Sequence, residues 1–330
     1  MTGNAPAESA AAQRRRLWRR GGLCLLFGAF ACLPLATMLG ADPFYLVIAT
    51  RIMIFAIAAL SLDLILGYGA MVSFGHAAYL GIGAYAVGIA STHAIDDLLL
   101  QMLLAALASA LFALATGAIA LRTKGVYFIM ITLAFGQMAY FLMVSLSAYG
   151  GDDGLTLEAR SSVFGRPWLE NNVAFYYVVF AILSGFHLLT RTIVAARFGR
   201  VLRGARDNAL RMNAIGFAPF PFQLTAYVIA GVMAGIAGTL LANQAEFVSP
   251  AYMTWQRSGE LIMMVVVGGM GTLTGGIVGA AVFLLLEETL AGISQHWKLA
   301  LGVILILIVL FGRNGVLGIL GRLAGGGGRS

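Results

Sequence analysis

The stretch AARFGRVLRGARDNALRMNAIGFAPFPFQL, residues Ala195 to Leu224, is a basic polar segment of about 30 residues between two blocks that are apolar enough to span a membrane. Four positions within it recur at the three- and four-residue spacing of one helical face: Val201, Ala205, Asn208 and Met212. Three charged residues follow at the four-residue spacing that lets opposite charges pair along a helix: Arg203, Asp207 and Arg211. The pattern predicts a short amphipathic helix outside the membrane.

This helix has a predicted end. Gly216 follows the last periodic residue, Ile215, as a helix C-terminal glycine does. Pro219 and Pro221 then prevent the helix from continuing into the next apolar block. We therefore expect a compact helix that a stiff exit holds away from the following span.

The composition is that of a polytopic membrane protein. Hydrophobic residues make up 60% of the chain and charged residues 11%, whereas about a quarter of a soluble globular domain is charged. The net charge of +7 comes from arginines grouped in a few loops near span ends, which is typical of topology signals and not of a nucleic-acid site. We expect a chain that lies in the lipid bilayer and does not bind nucleic acid.

The apolar pattern predicts an all-α fold of about ten crossings with both termini in the cytoplasm. Residues 1–20 are expected to be a disordered basic tail, 21–314 a single transmembrane domain with the cytoplasmic segment 195–222, and 315–330 a C-terminal tail. The expected spans are Gly21–Gly40, Phe44–Leu66, Gly67–Ala90, Leu98–Leu121, Val126–Ser147, Val173–Arg191, Phe222–Ala242, a short Ser258–Val267, one starting at Ile277, and Lys298–Phe311. A cleaved signal peptide remains the alternative for the first run, although its length of about 20 residues favours a retained span.

Five spans in each half would place the two halves in opposite orientations in the membrane. Two glycine-rich breaks, Gly67–Ala84 and Gly268–Ala280, occupy corresponding positions of the halves and favour such an inverted repeat. With glycine at 42 of 330 positions, chance also produces a match this loose.

Three motifs follow one another along the chain. They are GYGAMVSFGHAAYLGIGAY at Gly67–Tyr85, R-x-L-R-x-x-R-D-N at Arg200–Asn208, and GELIMMVVVGGMGTLTGGIVGA at Gly259–Ala280. Together they resemble the LivM-type permease subunits of branched-chain amino acid ABC importers, over roughly residues 52 to 318. Two departures concern local rigidity: Gly276 stands where that family usually has proline, and Arg313-Asn314-Gly315 stands where it usually has Arg-Pro-x-Gly.

The resemblance implies the type II importer arrangement and a role as the membrane subunit of an ATP-driven importer in the bacterial inner membrane. The implied partners are a second, LivH-like permease, two cytoplasmic ATP-binding subunits and a periplasmic substrate-binding protein. Branched-chain amino acids are the implied solutes, with urea, short amides or aromatic carboxylates as relatives. A secondary transporter or channel for a small polar solute such as urea or an amide is the alternative, and a purely structural subunit comes third.

No enzyme chemistry, cofactor or metal site is expected in this chain. His76 has no second ligand at a helical metal-binding spacing, and the other histidines are scattered. A P-loop needs Gly-Lys-Ser/Thr, but Lys124 follows Thr123 and Lys298 follows Trp297. Any ATP hydrolysis would therefore belong to a partner subunit.

Two sets of candidate site residues emerge. Five residues are expected to couple the chain to an ATPase: Arg203, Arg206, Asp207, Arg211 and Gly216. Seven are expected to line the solute path, because freed backbone groups at membrane depth should face a polar cavity: Gly67, Ser73, His76, Gly268, Gly269, Thr272 and Thr274. The competing interpretation is that these glycines only allow close helix packing.

Three ionisable residues within spans have open roles. For Asp63, a helix-end hydrogen bond to free backbone amides competes with a role in gating. For Arg51 we expect a side chain that extends to the outer interface, and for Glu260 a helix N-terminal cap.

Overall fold

The computed structural model describes residues 26–35, 40, 42–293, 295–311, 315, 316 and 318. In this part of the chain the helices are α1 Leu26–Leu35, α2 Pro43–Gly69, α3 Ala77–Thr92, α4 Leu98–Ala120, α5 Val126–Ser145, α6 Asn172–Ala195, α7 Arg197–Ala214, α8 Pro219–Ala245, α9 Trp255–Gly268, α10 Gly275–Ile293 and α11 Trp297–Phe311. Two short strands, β1 Leu155–Thr156 and β2 Phe247–Val248, pair antiparallel. The expected N-terminal tail and nearly all of the C-terminal tail lie outside the described residues.

Six helices of the described chain are long and apolar enough to cross a membrane: α2, α4, α5, α6, α8 and α10. Helices α1, α3 and α11 are apolar but shorter, and α9 has 14 residues. The predicted helical, multi-pass fold is thus confirmed. The count of ten crossings and the inversion of the two halves stay predictions.

Helices α2 and α8 form the centre of the bundle. Every residue of α2 from 52 to 69 is buried, and α8 packs against α2, α3 and α4. Close approach of α3 to α8 depends on glycine, because a Cβ on Gly83 would overlap the Gly235 carbonyl and one on Gly238 would overlap the carbonyl of Leu80. Such small-residue contacts let two helix backbones touch.

The bundle has two distinguishable ends. At one end, here called the β end, β1 meets β2, and Gln244 at the end of α8 donates to the carbonyl of Val47 at the start of α2. At the other, the α7 end, α7 lies against the last turn of α2 through Arg206 and Gly67. Helix α2 therefore runs from the β end to the α7 end, and α8, which follows α7, runs back to the β end.

The amphipathic helix predicted outside the spans is present as α7, but its continuity was predicted wrongly. Asn208 has φ −161° and ψ 100°, so α7 consists of two helical pieces joined at that residue. The Asn208 side chain accepts a hydrogen bond from the Arg211 amide at 2.9 Å and thereby caps the second piece. Val201 and Ala205 of the first piece are buried, whereas Asn208 is exposed and leaves the predicted face.

The predicted exit from this helix is confirmed. Helix α7 ends at Ala214, and Gly216 has φ +90°, the left-handed conformation that suits glycine at a helix end. Helix α8 then begins at Pro219, whose missing N–H costs nothing in the first turn.

Candidate functional site

The two glycine-rich breaks predicted from the sequence meet at the α7 end. Asp63 of α2 accepts a hydrogen bond from the amide of Gly271, with 2.8 Å between Oδ1 and N. A Cβ on Gly67 would overlap both the Asp63 carboxylate and the Gly271 backbone, so only glycine permits this approach. Gly269 and Gly271 have φ of +111° and +71°, which fits a tight turn between α9 and α10. We call Gly268–Thr274 the glycine turn.

Arg206 connects α7 to this junction. Its Nη1 donates to the carbonyl of Gly67 at 2.8 Å, and its Nε lies 3.1 Å from the carboxylate of Asp207. The ion pair predicted for Asp207 therefore forms with its immediate neighbour instead of with Arg203 or Arg211, four residues away. Because both members of the Arg206–Asp207 pair are well exposed, the bond to Gly67 is the contact through which Arg206 holds α7 against α2.

The remaining predicted coupling residues divide into two groups. Arg203 donates to the carbonyls of Gly199 and Val194, at 3.2 and 3.3 Å, and so stabilises the α6–α7 connection. Arg211 and Gly216 are exposed, and the space around Gly216 is open. Both residues are therefore accessible to another subunit.

His76 and Ser73 lie deeper in the bundle than the glycine turn. The amide of Ala77, at the start of α3, donates to Ser258 in the first turn of α9 at 3.0 Å. Ser258 precedes the end of α9 by ten residues, which corresponds to about 15 Å along a helix. The seven predicted path residues thus form two groups, with Ser73 and His76 separate from the five at the α7 end.

A buried polar cluster surrounds His76. Ser61 donates to the carbonyl of Ala58 at 2.7 Å, so the 2.8 Å contact between Ser61 Oγ and His76 Nε2 is best made by an Nε2–H donor. His76 Nδ1 and Ser73 Oγ are then left without a hydrogen-bond partner among the described residues, although both side chains are 0% exposed. Buried unpaired polar atoms cost about 1–3 kcal/mol each, so this arrangement favours a new partner in another state.

The threonines of the glycine turn are more accessible. Thr272 and Thr274 are half-buried, and Thr272 donates to the carbonyl of Gly269 at 2.6 Å. Gly268 and Gly269 are buried, and a Cβ on Gly268 would overlap the carbonyl of Gly275. The turn is therefore closely packed on its glycine side and more open on its hydroxyl side.

Charged residues of α2, α9 and α10 near the β end have partners that the sequence did not predict. Arg51 lies 3.9 Å from Glu287 of α10, and Arg257 pairs with Glu260 at 2.6 Å. Glu260 is thus an ion-pair partner rather than the helix cap that we expected. Both guanidinium groups also lie about 6 Å from the ring of Phe55, at 6.0 Å for Arg51 and 5.8 Å for Arg257.

Arg160 is an anchor of the β end that sequence reasoning missed. Its Nη1 donates to Asn172 Oδ1 at 2.7 Å and to the Leu169 carbonyl, and its Nε lies 3.1 Å from Glu246. It therefore attaches the long loop after α5 to the end of α8. No periodicity or motif distinguishes this arginine from other loop arginines in the sequence.

Comparison with known proteins decides the family. The sequence profile of the family described as branched-chain amino acid transport system / permease component matches residues 44–310, which extend from the start of α2 almost to the end of α11. The chain belongs to this family of branched-chain permease components. The resemblance inferred from the three sequence motifs is thereby confirmed.

LivM relatives match most of this permease, and a LivH relative matches less than half of it. It is 26% identical over 293 residues to the high-affinity branched-chain amino acid transport system permease protein LivM of Salmonella typhimurium, covering 82% of this chain and 69% of the relative. A probable LivM of Methanocaldococcus jannaschii is 24% identical over 288 residues, covering 76% and 82%. A probable LivH of the same organism is 26% identical over 157 residues, covering 43% and 47%. No solved structure matches the chain significantly.

The α7 end lies within the region that matches the branched-chain permease family. The matched relatives are permease subunits of transport systems and not enzymes. The matched region contains both glycine-rich breaks and α7, so the junction of Gly67, Gly271 and Arg206 lies inside the permease component itself.

Proposed function

We propose that this chain is the membrane-spanning permease subunit of an ATP-driven importer that moves branched-chain amino acids, or a related small solute, across the bacterial inner membrane. The observation that carries the proposal is the bond from Arg206 of α7 to Gly67, where α2 ends and the first glycine-rich break begins. A polar helix outside the spans is thus connected directly to a break within them. The solute class is the one that the family and its LivM members are named for.

ATP-binding subunits are proposed to dock on the second piece of α7. Leu210 in that piece is 79% exposed, beside the exposed Arg211, and Ile215 directly after it is 62% exposed. Exposed apolar residues next to a charge are typical of a protein contact surface. We therefore assign docking to Arg211 and the exit at Gly216, and transmission within the chain to Arg203, Arg206 and Asp207.

A second permease and a periplasmic binding protein are the other proposed partners. Similarity of one sequence to both LivM and LivH relatives supports assembly from two related permeases. For the binding protein, the β end offers an open cleft of about 360 Å³ lined by charged and polar residues: Glu158, Arg160, Glu170, Asn172 and Glu246. Such a surface suits a reversible contact between two soluble faces.

Ten crossings in two inverted halves are proposed from the correspondence between α2 and α8. Both helices have 27 residues and start at a proline. Each is followed directly by a non-glycine residue with positive φ, which is 53° at Ala70 after α2 and 51° at Glu246 after α8. Each is followed by a non-α segment that leads to a short helix, α3 or α9, and the two short helices meet at their N-termini through Ala77 and Ser258. Helices related in this way are expected of inverted repeats.

The solute path is proposed to run past both groups of predicted path residues. Ser73 and His76 would offer polar atoms at the centre, and Thr272 and Thr274 would offer hydroxyl groups at the α7 end. Hydroxyl groups give weak contacts, which suits a path that must release its solute. Unpaired atoms on Ser73 and His76 support this proposal because they need a partner in some state of the cycle.

The proposed orientation places the α7 end and both termini in the cytoplasm. With Cys24 and Cys32 replaced by alanine, Leu210→Cys should react with a membrane-impermeant thiol reagent only after the cells are opened. Asp152→Cys, in the exposed loop at the β end, should react in intact cells and serves as the matched control. Labelling of Leu210→Cys in intact cells would contradict the orientation and the proposed docking of ATPases.

Reconstitution in liposomes tests the proposed function. The chain with its second permease, two ATP-binding subunits and a binding protein should take up branched-chain amino acids only when ATP is present on the α7 side. The chain alone should move no solute under an ion gradient, because ATP-driven closure of the partners is needed to open the path. Uptake by the isolated chain under such a gradient would favour the alternative, a secondary transporter or channel.

A further inference from the structure

We propose that Asp63 is a positioning residue that ties the glycine turn to the end of α2, so that movement of α7 is transmitted to the turn through Arg206, α2 and Asp63. This proposal deepens the proposed function and rests on it. It concerns a residue for which the sequence left two roles open.

Two hydrogen bonds carry the proposal. Arg206 Nη1 holds the Gly67 carbonyl at 2.8 Å, and Asp63 Oδ1 holds the Gly271 amide at 2.8 Å. Asp63 and Gly67 lie one turn apart on α2, where the helix is fully buried. One short piece of helix therefore receives a bond from α7 and makes a bond to the glycine turn. A shift of α7 that displaces this piece of helix must displace the turn or break a bond.

Stability alone does not account for a carboxylate at this position. Asp63 is 1% exposed, and its Oδ2 has no hydrogen-bond partner among the described residues. A buried carboxylate with one unpaired oxygen is costly, and an apolar side chain of similar size would avoid that cost. What an apolar residue cannot supply is the acceptor for the Gly271 amide.

The glycine turn packs closely against α2 and against a residue beyond α11. Gly271 has φ +71°, and a Cβ there would lie 3.3 Å from the Gly67 carbonyl, the group that Arg206 binds. On the opposite side, a Cβ on Gly315 would lie 2.6 Å from the Gly269 amide. The turn is thus enclosed between α2 and a residue beyond α11, with Asp63 as its polar connection to α2.

Electron paramagnetic resonance on the assembled complex tests the linkage. Spin labels replace exposed residues after Cys24→Ala and Cys32→Ala: Arg200→Cys on the first piece of α7, Met270→Cys on the turn, and Phe164→Cys at the β end as the reference. In the unmodified linkage, trapping with ATP should change both the Arg200–Phe164 and the Met270–Phe164 distance. With Asp63→Leu, the first distance should still change and the second should not.

Transport supplies the second readout. A hydrogen bond to a charged group is worth enough to change a conformational equilibrium by about tenfold or more, so Asp63→Leu should reduce uptake per ATP hydrolysed by about tenfold. Asp63→Asn keeps an acceptor for Gly271 and should stay within about threefold of the parent. Thr50→Val is the matched control, since Thr50 is a buried polar residue of α2 that donates to the Leu46 carbonyl of its own helix.

Arg206→Met covers the case in which Asp63→Leu does not fold, because Arg206 is on the exposed side of the same linkage. Loss of the Met270 response in Arg206→Met, with complex assembly retained, is the expected result. A Met270 response like that of the parent in either Asp63→Leu or Arg206→Met overturns the linkage alone. If the Arg200–Phe164 distance does not respond to ATP even in the parent, the proposed function fails and the linkage fails with it.

Discussion

Gly238→Ala is expected to abolish accumulation of the folded protein, although it adds a single methyl group. A Cβ on Gly238 would overlap the backbone carbonyl of Leu80, where α8 crosses α3. A backbone atom in the middle of a buried helix cannot move aside as a side chain does, so α3 and α8 must separate along their whole contact. The loss should exceed the ~1–3 kcal/mol that is typical of overpacked cores.

Size-exclusion chromatography in detergent, with thermal unfolding of the monodisperse fraction, measures this effect. Gly185→Ala in α6 is the matched control, because a Cβ there meets nothing within 4 Å. Alanine is a better helix former than glycine by about 1 kcal/mol, so the control should be as stable as the parent or more stable. Equal yields of the two variants would show that α3 and α8 are not packed as described.

A thiol reagent is expected to block uptake completely when it reacts with a cysteine placed at a proposed path residue. Whether that cysteine reacts should depend on whether the complex is resting or trapped with ATP. Thr274→Cys is half-buried and should react with a small water-soluble reagent in the resting complex. Ser73→Cys is fully buried and should react only after trapping with ATP, when the junction of α3 and α9 would open. Uptake measured before and after treatment gives the result directly.

Thr190→Cys is a suitable control for buried hydroxyl groups. Thr190 of α6 is also 0% exposed, and its hydroxyl donates to the carbonyl of Phe186 in its own helix at 2.7 Å. It should remain unreactive in every state. If Ser73→Cys and Thr274→Cys are unreactive in both states, the glycine breaks are packing elements and the path lies elsewhere in the complex.

Local sequence signals predicted the elements of this fold well. Span boundaries agree with the helices within a few residues for α2, α4 and α5, because long apolar runs between turn residues leave few alternatives. The helix end before Gly216 was also predictable, because it depends only on residues that are neighbours in the sequence. Asp207-Asn208 in the middle of a predicted helix was the available signal for the interruption of α7, because both residues compete with the helix for backbone hydrogen bonds.

Contacts between distant residues were not predictable from one sequence. The bonds of Arg206 to Gly67 and of Asp63 to Gly271 join residues 139 and 208 positions apart. Nothing in the local pattern distinguishes Arg206, which binds its own chain, from Arg211, which is exposed. The sequence suggested that both glycine-rich breaks serve one site, but not that a carboxylate and an arginine hold them together.

Asp63 also has a consequence for the order in which the protein is made. It enters the membrane with α2, whereas its partner Gly271 follows 208 residues later. At a synthesis rate of about 5–20 residues per second, the carboxylate must wait roughly 10–40 s in the bilayer or its insertion machinery before that amide arrives. The most buried span of the bundle is therefore inserted early and completed late. Protein production should depend on how well the cell protects α2 during that interval.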